Sequence, residues 1–210
     1  MAEWGWRGPG WRRLLDEQIY LGHWPTLLLG SLLVAFGFAG TALLDIARSP
    51  FGVASGYLAG AVIGFAVHET AHRYAARRQG CLAGFVLTPM GVLLTLLSGV
   101  LRSLGAPFVI LAPGYVAIYC YSGGWRRWPA REDEIAAAGP ASNLVLAMLA
   151  VIAYRFAGSY AGFLYGFASI NAWLALFNLL PLHPLDGYKL FRRNPVTWII
   201  LFLAAVLLTF

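Results

Sequence analysis

Long apolar runs broken by short clusters of arginine set the pattern of this chain. Runs extend from about Pro25 to Ile46, Phe51 to Tyr74, Pro140 to Phe156, Tyr160 to Leu180 and Val196 to Phe210. At 1.5 Å per residue, each crosses or nearly crosses a hydrocarbon layer of about 30 Å. The stretch Val86–Tyr121 is apolar as well, but Pro89, Gly91, Gly99, Arg102, Gly105, Pro107, Pro113 and Gly114 interrupt it. The basic clusters decide how to count it. If Arg7, Arg12 and Arg13 are cytoplasmic, two crossings return Arg73, Arg77 and Arg78 to that side. Arg126, Arg127 and Arg131 join them only if Val86–Tyr121 does not cross, and Lys189, Arg192 and Arg193 follow after two more spans. That arrangement satisfies the tendency of basic residues to stay inside. Val86–Tyr121 is therefore expected to be re-entrant, or a pair of short elements whose backbone is satisfied by protein or water.

The expected fold is an all-α polytopic membrane protein with about five to six transmembrane helices and an irregular segment after the second. Residues 1–24 are expected to lie at the interface, anchored by Trp4, Trp6, Trp11 and Trp24, rather than to form a cleaved leader. Residues 25–210 form a single transmembrane domain.

Composition agrees. Of 210 residues, 60% are hydrophobic and 11% charged, and the mean hydropathy is +0.68. Soluble domains carry about a quarter charged residues. The net charge of +6 follows from the loop clusters and not from a basic face, which argues against nucleic acid as a partner. Cys81 and Cys120 lack CxxC spacing and read as two unpaired cysteines.

The second run ends in His68-Glu69-Thr70-Ala71-His72. On a helix, residues four apart stand one turn above each other, so both imidazoles reach one zinc ion. Glu69 is then placed to take a proton from water. Ionisable groups inside a span are costly and point to function. A catalytic zinc needs a third protein ligand and an open fourth position. Asp186, directly after the fourth run, is the leading candidate; Glu134, in the acidic loop Glu132-Asp133-Glu134, is the alternative.

Three small-residue faces accompany this motif. Gly56, Gly60 and Gly64 lead into His68; Asn143, Ala147 and Ala150 lie on the third span; and Ala168, Asn171, Ala175 and Asn178 lie on the fourth. These faces are expected to pack together around the metal, with the glycine stripe as a groove towards it. Pro181 and Pro184 are expected to leave an extended segment before Asp186.

The HExxH motif, Gly139-Pro140-Ala141-Ser142-Asn143 and the run Asn178-Leu-Leu-Pro181-Leu-His183-Pro184-Leu185-Asp186-Gly187 together resemble the site-2 protease family of intramembrane metalloproteases, over about residues 56–187. The resemblance implies one catalytic Zn2+ on His68, His72 and Asp186, with Glu69 as general base. It also implies that Asn178 and Asn143 serve the substrate or oxyanion. Implied substrates are membrane-spanning proteins, cut near the cytoplasmic face of the cell membrane. No PDZ-like insertion separates the motifs, and His183 stands where an apolar residue or proline is more usual. It reads as an interfacial polar residue, an outer partner or a further ligand. A metal transporter or sensor using the same ligands is the alternative function, and the sequence leaves substrate, gating and oligomeric state open.

Overall fold

The computed structural model describes residues 18–107, 109–120 and 131–210. Helix α1 (His23–Ala39) continues as a 3-10 segment (Gly40–Ala47), followed by α2 (Val53–Arg78). Strand β1 (Cys81–Leu87), α3 (Pro89–Ser103) and β2 (Gly114–Cys120) come next. Helices α4 (Glu132–Tyr154), α5 (Ala161–Asn178), α6 (Asp186–Arg193) and α7 (Pro195–Thr209) complete the chain. The result is an all-α membrane protein that carries a small two-stranded sheet, with α3 inserted between the strands.

Among the described residues, three helical stretches are long and apolar enough to cross a bilayer: His23–Ala47, Glu132–Tyr154 and Gly158–Asn178. Helix α2 is longer than any of them but spends its second half on His68, Glu69, His72 and basic residues. Helix α7 is apolar but shorter. Residues 1–17 of the expected interfacial segment lie outside the described residues, as do Arg126 and Arg127; Trp24 is exposed.

Val86–Tyr121 resolves into short elements. Helix α3 has 15 residues, about 22 Å, which is less than a hydrocarbon layer. Thr88 caps it by accepting from Gly91 N–H at 3.1 Å, and Pro89 occupies its first turn. The antiparallel pairing of β1 with β2, from Cys81↔Cys120 to Leu87↔Gly114, returns the chain to the level at which it left. Ile19 adds a bridge on the other side of Leu87.

That register corrects the reading of two unpaired cysteines, because Cys81 and Cys120 form a disulfide. The third span also starts eight residues before Pro140. Glu132, Asp133 and Glu134 occupy its first turn, where acidic groups favour a helix N-terminus, and Pro140 is carried inside the helix.

Helix α5 lies at the centre. Its Ile170 and Leu174 pack with Leu27, Val34 and Phe38 of α1, Ala61 and Phe65 of α2 and Phe85 of β1. Its Ala175 and Leu176 face Ala136 and Leu144 of α4, Leu190 of α6 and Ala205 of α7.

The glycine stripe is not a groove. A side chain on Gly56 would run into the backbone of Phe163, one on Gly60 into Ile170 and one on Gly64 into Asn171, so α5 fills the stripe. The segment before Asp186 also differs from expectation. Leu182 N–H bonds Leu180 O and Leu185 N–H bonds Leu182 O, both at 2.8 Å, forming successive turns rather than an extended strand.

Candidate metal centre

Helix α2 carries His68, Glu69 and His72 on buried positions, at 3%, 8% and 5% exposure. The two imidazoles stand edge to face, with Nε2 atoms 3.0 Å apart. Asp186 arrives from the other end of the fold, as the first residue of α6. Its Oδ2 lies 3.0 Å from Nε2 of His72 and 3.5 Å from Nε2 of His68. Gly187 makes this return possible, since any side chain there would strike the backbone of Leu179 and Leu180.

Helix α4 orients both rings. His72 Nδ1 is 2.7 Å from the carbonyl oxygen of Ile135, and His68 Nδ1 is 2.6 Å from Oδ1 of Asn143. The amide of Asn143 donates to Gly64 O at 3.1 Å and to Asn171 Oδ1 at 2.9 Å, which fixes its own orientation. Asn171 in turn donates to Phe167 O at 2.8 Å. Both Nδ1 atoms thus carry the proton, and both Nε2 lone pairs turn towards Asp186. Two nitrogens and a carboxylate oxygen then converge without a donor between them, an arrangement that a cation resolves.

A zinc ion fits this set. Four-coordinate zinc with bonds of about 2.0–2.2 Å keeps its ligands about 3.3–3.6 Å apart, close to the separations found. Buried Glu69 Oε2 has no hydrogen-bond partner among the described residues, which leaves it available to a water at the centre.

The other candidates lie elsewhere. Glu134 pairs with Arg131 at 2.6 Å, and exposed His183 packs its ring against Tyr188. Asn178, at the end of α5, donates to Leu174 O of its own helix at 2.8 Å. Asn143 is fully buried and spends its amide on His68, Gly64 and Asn171. Asn171, already placed by its spacing on the small-residue face of the fourth span, makes an interhelical hydrogen bond with Asn143 and is fully buried.

The chain is 37% identical over 141 residues to a Methanocaldococcus jannaschii protein named "Putative zinc metalloprotease MJ0611", covering 65% of this chain and 69% of that one. The chain belongs to this zinc metalloprotease family. It is also 31% identical over 147 residues to "Putative zinc metalloprotease Rip2" of Mycobacterium tuberculosis, covering 62% of this chain and 54%, or about half, of that relative. No protein-family model and no solved structure matches the chain. Membership of this metalloprotease family agrees with a zinc ion as the cofactor of the His68–His72–Asp186 group.

Proposed function

We propose that the protein is a site-2 protease-like intramembrane endopeptidase, which hydrolyses peptide bonds in membrane-spanning segments of other proteins. The observation that carries this reading is the placement of the whole centre. His68, Glu69 and His72 are buried and Asp186 is partly buried where α2, α4 and α6 meet, and the exposed face of α4 is apolar at Val145, Met148, Leu149 and Ile152.

Bound zinc supplies Lewis acidity that polarises a carbonyl and lowers the pKa of water. The chain's own groups do the rest. Glu69 Oε2 takes a proton from the attacking water and delivers it to the leaving amide nitrogen, so water and peptide become an acid and an amine. Ile135 O and Asn143 Oδ1 hold the imidazoles still throughout. Asn178, eight residues before Asp186, is proposed to steady the substrate carbonyl or strand. Asn143 was grouped with it by resemblance, but its contacts fit a role behind His68. A metal transporter has no use for a free carboxylate oxygen beside the ligands, so Glu69 favours hydrolysis.

The test is cleavage of a single-span substrate in vesicles by purified protein. Glu69→Gln should lose at least about 100-fold in rate while keeping its zinc. Cleavage should occur within the span and rise when glycine or proline loosens the substrate helix. Unchanged cleavage by Glu69→Gln, or cleavage confined to water-exposed loops, would contradict the proposal.

A further inference from the structure

Helix α4 meets the two histidines at three positions spaced by four: Ile135, Gly139 and Asn143. The outer two hold Nδ1 atoms. The middle one has no side chain. A Cβ built on Gly139 would fall 2.6 Å from Nε2 of His68 and closer still to Nε2 of His72, with Cε1 of His72 at 2.7 Å.

Those are the two atoms that face Asp186, and the approach is within a few tenths of an ångström of a zinc–nitrogen bond of about 2.0–2.1 Å. A carbon at that spot would lie well inside van der Waals contact with both nitrogens that would ligate the ion. The neighbours it meets are the ends of imidazole side chains and not backbone, so the helices can keep their places while the rings swing aside. What cannot survive is the convergence of both Nε2 atoms on one point.

We propose that Gly139 sets the clearance of the metal centre: the absence of its side chain is what lets His68 and His72 share an ion, and an alanine there gives a folded protein that does not hold zinc. Gly139 is a positioning residue. The inference rests on the zinc centre and not on proteolysis, and wild-type zinc content tests that centre separately.

The experiment compares purified full-length wild type, Gly139→Ala and Gly162→Ala in zinc titration and, after chelation, in thermal unfolding. Gly162 lies on α5, where an added Cβ would meet nothing closer than 3.5 Å. Gly139→Ala should lose more than about 100-fold in zinc affinity, beyond the 10–100-fold typical of an outer partner; Gly162→Ala should bind as wild type. A stability cycle separates clearance from general damage. In chelator, Gly139→Ala should lower Tm in the native background. It should raise Tm when His68→Ala and His72→Ala together have removed both rings, because alanine is then simply the better helix former. If Gly139→Ala alone does not fold, recovery of folded protein in that double-alanine background supports the proposal. Wild-type zinc affinity in Gly139→Ala, equal zinc loss in Gly162→Ala, or the same Tm change in both backgrounds would overturn it.

Discussion

His68 and His72 each commit Nδ1 to a carbonyl oxygen, and that commitment aims both Nε2 atoms at Asp186. Removing one of these partners should loosen the metal without abolishing it. Asn143→Ala is expected to weaken zinc binding by about 10–100-fold, read by competition with a calibrated chelator; unchanged affinity would show that His68 needs no such support. Acid should release the ion, because protons compete with zinc for His68, His72 and Asp186. Zinc affinity should therefore fall steadily as the medium is acidified, and an affinity that does not change with pH would contradict imidazole ligation. At this scale the sequence was informative where side chains make the site. HExxH spacing exposed His68, Glu69 and His72, and scarcity of acids pointed to Asp186. It was silent on the Ile135 carbonyl, which acts through backbone, and it marked Gly139 only as part of a motif, because that residue acts through a missing atom.

The elements were legible where period and composition agreed. Helix α1 together with its 3-10 continuation, α5 and α7 fall within a few residues of their apolar runs. Helix α4 did not, because Pro140 reads as a helix start, whereas the acidic turn at Glu132 begins it and the proline is absorbed. The disulfide was hidden for a different reason: Cys81 and Cys120 are 39 residues apart and meet only through the register of the β1–β2 sheet. The glycine stripe was visible, but its purpose needed the partner helix. Because α5 fills it, Gly60→Leu should force α2 and α5 apart and cost about 3 kcal/mol or more, with loss of folded protein or a sharply lower Tm. A stable, zinc-loaded Gly60→Leu protein would contradict this packing.

The whole molecule joins two packing clusters through α5 and places the metal where α2, α4 and α6 meet beside it. Topology is a property of this scale. With Arg73, Arg77 and Arg78 expected on the cytoplasmic side, the end of α2 is proposed to face the cytoplasm. Exposed Arg78, changed to cysteine with Cys81 and Cys120 replaced by serine, should react with an impermeant thiol reagent only after cells are opened. Labelling in intact cells would place the metal centre on the outer side instead. The central claim concerns the ion itself. Zinc per chain in purified wild type and Asp186→Ala tests it most directly, with Glu134→Gln as reference. About one zinc in wild type and Glu134→Gln, with little in Asp186→Ala, is the predicted result. A wild type that takes up no zinc, or an Asp186→Ala protein that binds it as tightly as wild type, would contradict it.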